Sequence, residues 1–163
     1  LISPWKEFLS GCGANFDDGV VKDFGDPLAE ERALSSAGVI CDLSHRGLIA
    51  VTGDEAFTFL QGQLTCDLAE VNPTRSRLAA WCTPKGRVLV LFRVFHLDSG
   101  FLLELPGSLT EATLRRLRLY VLRAQVSLED VSEDSVRLGL AGDSARVLIE
   151  SRYGSAPRFP DAV

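Results

Sequence analysis

The chain has 163 residues, 46% of them hydrophobic and 24% charged, with a formal net charge of −5. That length supports one domain with a sizeable core and leaves little room for two complete ones, and the composition is that of an ordinary globular protein. The acidic total argues against a generally basic nucleic-acid module, and no apolar run approaches the roughly 18 residues of a membrane span. The opening Leu1-Ile2-Ser3-Pro4-Trp5-Lys6 has neither the apolar segment nor the cleavage pattern of a signal peptide, so the expected compartment is the cytoplasm.

In chain order, residues 4–9 read as a short helix, followed by the turn-rich Gly11-Cys12-Gly13 and Asp17-Asp18-Gly19 and an extended piece over 20–24. Residues 28–37 read as a second helix closed by Gly38. A β-branched run predicts a strand over 48–52. Gly53-Asp54-Glu55 then leads into a helix over 56–63, with acids at its positive end and Phe57, Leu60 and Leu64 on one face. Strands over 77–82 and 87–96 flank the turn Thr83-Pro84-Lys85-Gly86. The longer one sets Val88, Val90, Phe92 and Val94 on one face and Leu89, Leu91 and Phe95 on the other, which predicts a central strand covered on both sides.

Asp98-Ser99-Gly100 makes a hairpin into a strand over 101–105. Thr110 reads as the N-cap of a helix reaching residue 123, with Leu114, Leu117, Val121 and Ala124 as its buried stripe. A strand over 126–131, another over 136–142 and a helix over 143–153 follow. The order β-α-β-β-β-α-β over residues 46–131 predicts an α+β fold: an antiparallel ferredoxin-like sheet with an added strand and two backing helices. Residues 1–45 and 132–163 are expected to form a partial second subdomain. The chain has no methionine, even at position 1, and residues 154–160 read as loop; both are expected of part of a longer protein.

Cys12, Cys41, Cys66 and Cys82 include no CxxC pair and have no ligand-like spacing to His45 or His96. Buried free thiols and no metal site are the expectation. No dinucleotide fingerprint, P-loop or HExxH occurs. Arg115, Arg116, Arg118 and Arg123, opposed only by Glu111, make the later helix basic: a solvated face, or an anion or RNA surface. Trp81, Phe92 and Phe95 read as core more than as a base-stacking platform.

Three stretches carry a resemblance: Asp42-Leu43-Ser44-His45-Arg46-Gly47, Phe59-Leu60-Gln61-Gly62-Gln63-Leu64-Thr65-Cys66-Asp67, and Cys82-Thr83-Pro84-Lys85-Gly86-Arg87-Val88. Together they resemble the amino-terminal half of the folate-binding YgfZ-like proteins, relatives of the glycine-cleavage T-protein (aminomethyltransferase), over residues 39–131. The resemblance implies tetrahydrofolate as cofactor, with His45, Arg46, Gln63 and Thr65 as binding residues and no catalytic one. The family's Asp-x-Ser-His stretch precedes a residue that touches folate, which places Arg46 near the ligand, where its guanidinium fork suits the carboxylates of a glutamate tail. The alternative is a surface arginine paired with Asp42. Neither serine nor cysteine beside His45 completes a nucleophile–base–orienter set, and it reads as structural.

The amides of Gln61 and Gln63 suit a pterin edge, and equally would cap the helix and tie down the next loop. Gly62 is expected in the left-handed conformation that ends a helix. Thr65 and Asp67 double as turn formers.

Aminomethyltransferases carry an Asp-Asp pair in the strand after the glycine turn, and that pair falls here on Val90 and Leu91. An alkyl side chain neither accepts a proton nor holds a cationic amine, which argues against transferase chemistry. Lys85-Gly86-Arg87 and the Phe-Leu-Gln-Gly-Gln-Leu-Thr block point to the YgfZ branch instead, which binds tetrahydrofolate and supports the assembly or repair of iron–sulfur enzymes. That implies folate and iron–sulfur enzymes or their assembly factors as partners, with no membrane and no nucleic acid expected. The branch's later Lys-Gly-Cys-Tyr-x-Gly-Gln-Glu signature does not occur in these residues, as expected of an amino-terminal portion holding only part of a folate cavity built between subdomains. Two alternatives stand beside this: a tetrahydrofolate-dependent aminomethyltransferase, and an RNA-contacting module using the arginine-rich helix.

Overall fold

A computed structural model describes residues 3–156; the carboxyl-terminal part of the expected tail loop lies outside them. The elements in chain order begin with α1 (Pro4–Gly11), β1 (Asn15–Asp17), β2 (Val20–Asp23), α2 (Pro27–Ser36), β3 (Val39–Asp42), β4 (Arg46–Thr52) and α3 (Ala56–Gln61). They continue with β5 (Arg77–Cys82), β6 (Val88–Leu97), β7 (Gly100–Pro106), α4 (Thr110–Val121), β8 (Ser127–Asp130), β9 (Leu138–Ala141) and α5 (Asp143–Tyr153). The strands β1 and β3, three and four residues long, are too short for alternation to announce them in the sequence. No helix among the described residues is long and apolar enough to cross a membrane.

The chain divides after His45 and after Ser135 into two compact units. In the first, α1 starts on Ser3, whose Oγ accepts from the Lys6 N–H, and α2 starts on Asp26, whose Oδ1 accepts from the Ala29 N–H at 3.0 Å. Each has proline in its opening turn, where no N–H is missed. β1 and β2 form a hairpin, and β3 pairs antiparallel with β9. Trp5 Nε1–H and Ser44 Oγ–H both donate to Asp42 Oδ1, at 2.8 and 2.6 Å.

The second unit, residues 46–135, is a five-stranded sheet in the order β5-β6-β7-β4-β8 with every neighbouring pair antiparallel. Without β5 the order is β6-β7-β4-β8, the split βαβ arrangement, and β5 is the added edge strand. The core lies on one face. Ile49, Val51, Ala79, Trp81, Val90, Phe92, Val94, Leu103 and Leu105 point there and meet Leu60 of α3 and Leu114 and Leu117 of α4.

Several expectations are corrected. β6 is covered on one side only: Val90, Phe92 and Val94 are buried, while Leu91 is 62% exposed. Its opposite face has no helix of this unit to cover it, since α3 and α4 both pack on the core side. In α3 the buried residues are Ala56, Phe59 and Leu60, and Phe57 is 45% exposed. The helix ends at Gln61, so Leu64 is not part of its stripe and the i, i+3, i+4 set takes over. Gly62 ends that helix in right-handed geometry, φ −79° and ψ −13°, so no left-handed cap forms.

A 3-10 turn, Gly107–Leu109, feeds α4, which makes Leu109 the cap and places Thr110 inside the helix, buried. The helix stops at Val121 because Leu122 turns to φ 49°. The cysteines are free but not buried: Cys12 and Cys41 are exposed, Cys66 and Cys82 intermediate.

Candidate functional site

Alternation along the strands gives the sheet a second face, away from α3 and α4, that is open over β5 and β6 and closed at β4, where Leu48 is 5% exposed. Leu78 (64% exposed) and Leu91 stand on it with half-buried Ala80, Phe95 and Leu102, because each alternates with a core residue on its strand. Arg46 on β4, Glu104 on β7 and Arg93 on β6 share this face: Glu104 lies opposite Arg93 in the ladder, and both alternate with buried leucine or valine. The result is an apolar platform bordered by two guanidinium groups.

Arg46 Nε–H donates to Glu104 Oε1 at 2.9 Å, with side chains 29% and 18% exposed. Asp42 is therefore not its partner; Trp5 and Ser44 occupy that carboxylate. A guanidinium carries five N–H donors in a fork, and this pairing uses one of them. Arg93 Nη1–H donates to the buried Ser76 Oγ at 3.0 Å. His45 is exposed in the turn before β4.

The Gln-Gly-Gln-Leu-Thr block sits elsewhere. Thr65 is zipped to the outer edge of β5: its N–H donates to the Ala80 carbonyl at 3.0 Å, and its Oγ1 accepts from the Ala80 N–H at 2.8 Å. Gln63 Oε1 accepts from Trp81 Nε1–H at 3.3 Å, and Gln61 Oε1 accepts from the Leu68 N–H at 2.8 Å. Trp81 is buried, edge-on to Tyr120 at 5.9 Å and covered by the Arg116 guanidinium at 5.5 Å. Arg118 donates to the Leu128 carbonyl at 2.8 Å, so two of the four arginines serve the fold.

Arg46 is three strands away from Thr65's edge, about 14 Å at the usual ~4.8 Å spacing. The sheet thus does not gather Arg46, Gln63 and Thr65 around one point.

Two features of the open face escaped the sequence. Glu104 is the partner of Arg46, and its signal was a lone acid in the apolar run Phe101-Leu102-Leu103-Glu104-Leu105. The exposure of Leu78 and Leu91 left no signal, because a leucine reads the same whether or not something covers it. Among the described residues no group of three or more His, Cys, Asp or Glu side chains is placed to hold a metal.

The model of the GCVT N-terminal domain family matches residues 19–158. Relatives called "tRNA-modifying protein YgfZ" are 36% identical over 121 residues in Hamiltonella defensa, covering 74% of this chain and 36% of that one. In Colwellia psychrerythraea they are 31% identical over 118 residues, covering 72% and 36%. The chain therefore spans little more than a third of the length of these relatives. The crystal structure of glycine cleavage system aminomethyltransferase T from Bartonella henselae superposes with a TM-score of 0.78 at 23% identity, covering 94% of this chain and 43% of that one; the likeness is one of fold. The chain belongs to the GCVT N-terminal domain family, and it is related in sequence to proteins named YgfZ.

Proposed function

We propose that the chain is the amino-terminal, tetrahydrofolate-binding portion of a YgfZ-like protein that supports iron–sulfur enzymes and has no transferase chemistry of its own. The observation that carries this is the open sheet face, where exposed Leu78 and Leu91 lie on the same side as Arg46. A pterin ring is planar and weakly hydrated on its faces, so leucine side chains suit it, and a guanidinium suits the carboxylates of a glutamate tail. Arg46 would hold that anionic end with donors other than the Nε–H engaged by Glu104. Tetrahydrofolate supplies a carrier for one-carbon units when bound; the residues of this face orient it and shield one of its sides.

Absence of transferase chemistry rests on Leu91. It stands on the open face where the transferases it resembles carry an acid, while Val90 faces the core. Glu104, the acid beside Arg46 on that face, is spent in an ion pair with it, and Glu129, opposite Ala50, stands out on the edge strand β8. The relatives are named tRNA-modifying proteins, and tRNA modification is a setting in which iron–sulfur enzymes maintained by such a protein would act.

Calorimetric titration of the full-length protein with tetrahydrofolate tests this. Binding is expected, weakened about tenfold by Arg46→Ala, the value of one charge-assisted contact. A full-length protein that ignores tetrahydrofolate, or that turns over an aminomethyl-lipoyl carrier, sinks the proposal.

A further inference from the structure

A cleft of about 610 Å³ opens in the second unit where the β6–β7 hairpin meets the start of α3. Phe101 forms its floor, with Phe57 tilted against it at 6.3 Å between ring centres and His96 edge-on at 6.1 Å. Phe57 keeps 45% of its surface exposed, although its neighbours Phe59 and Leu60 are buried. Two of its lining residues are glycines required by close approach of neighbouring backbone. A Cβ on Gly53 (φ 111°) would overlap the Gln125 carbonyl, and one on Gly100 (φ 149°) would overlap the Val51 carbonyl.

The polar lining is anionic. Asp54 and Asp98 stand on it, exposed, and no lysine or arginine is among its lining residues. Among the described residues neither aspartate makes a hydrogen bond or ion pair, whereas the adjacent Glu55 is used by the fold, accepting from the Gln125 N–H at 2.7 Å.

We propose that this cleft receives an arginine side chain from a partner polypeptide. Aromatic faces attract cations, and guanidinium, being planar and weakly hydrated, stacks on them better than ammonium does. Its aliphatic stem lies well on exposed Phe57, and its fork pairs with Asp54 or Asp98. An anionic ligand is excluded by the same two carboxylates, so this site is distinct from the Arg46 face and does not rest on the folate proposal.

The test is an NMR titration of the isotope-labelled 163-residue chain with the capped tripeptide acetyl-Gly-Arg-Gly-amide, its lysine counterpart, and spermidine. Shifts are expected to cluster on Asp54, Phe57, His96 and Phe101, with the lysine peptide at least about threefold weaker. Phe57→Leu, which keeps an apolar side chain, and the Asp54→Asn/Asp98→Asn pair are each expected to weaken binding about tenfold, while Leu119→Ala, at an exposed position of α4 outside both sites, leaves it unchanged. All three variants alter exposed positions, and thermal melts confirm their folding. Shifts scattered over the acidic surface, unchanged affinity in the Asn pair, or spermidine binding as tightly as the arginine peptide would each overturn the proposal.

Discussion

The hydroxyl of Thr110 occupies the space that a side chain on Gly47 would need. A Cβ built on Gly47 overlaps Thr110 Oγ1 and comes within 3.1 Å of Thr110 Cβ and 3.3 Å of Gly107 Cα. The glycine after Arg46 is therefore a packing requirement: it lets the start of α4 press against β4 beside the arginine of the open face. Thr110 Oγ1 is buried without a hydrogen-bond partner, so what Thr110 contributes is shape. Gly47→Ala should cost about 1–3 kcal/mol, the usual range for overpacking. In the Thr110→Ala background much of that cost should vanish, a coupling read directly from a double-mutant cycle in urea. Equal costs in both backgrounds would show that the overlap is relieved elsewhere.

Arg46 and Glu104 are each less than a third exposed, so their pairing is partly desolvated. Removing one partner leaves the other charge on an apolar platform. Glu104→Ala should therefore destabilise by about 1–2 kcal/mol. Glu104→Gln, which keeps an acceptor for the Nε–H, should recover part of this. Chemical denaturation of the three proteins at one salt concentration checks the order.

Val90 and Leu91 are neighbours in sequence and opposites in environment. Val90 is 5% exposed in the core and Leu91 62% exposed on the open face. Val90→Asp should fail to fold or lose upwards of about 4 kcal/mol, as an unpaired buried carboxylate does. Leu91→Asp should stay within about 0.5 kcal/mol of the parent. If chemical denaturation shows both to be tolerated, β6 does not turn Val90 toward the core.

This contrast also shows what was legible in the sequence. The β-α-β-β-β-α-β order could be read because the strands of the second unit alternate cleanly and their turns carry Gly and Pro. What periodicity does not encode is which apolar face finds a cover. Leu91 and Phe57 look like core residues and are exposed, because burial depends on where helices land and α3 ends at Gln61. The candidate site fared likewise: Arg46 stands on the open face, but its ion pair spans 58 positions, and no local pattern announces such a partner. Gln63 and Thr65 belong to the β5 edge, which only sheet order separates from Arg46.

Asp23 ties the β1–β2 hairpin together. It accepts from the Asn15 side-chain amide and from the Gly25 N–H, and these bonds hold its carboxyl below the ordinary aspartate value. A depressed folded-state value means the stabilisation is complete above the unfolded aspartate's pKa of about 3.9 and is lost as pH falls through the folded one. Amide exchange in residues 15–23 should therefore accelerate relative to β4 as the pH drops below about 4. Asp23→Asn should remove that acid sensitivity; exchange that still quickens in the variant would assign it to another group.

Cys66 sits in the loop after α3, and partial burial pushes its thiol above the ordinary value, with Asp67 and Glu70 adding to the effect and Arg77 opposing it. The thiolate is the nucleophile, so a raised value leaves less of it at any given pH. Because the neutral form is the one favoured by the fold, this effect fades in the unfolded chain, where the thiol titrates near about 8.5. Iodoacetamide at about pH 8 should modify the exposed Cys12 and Cys41 first, with Cys66 slower by about an order of magnitude. In urea the rate at Cys66 should rise to match the others. A Cys66 that reacts as fast as Cys41 in the native protein would mean that the loop held by Thr65 opens from β5 on the timescale of the reaction.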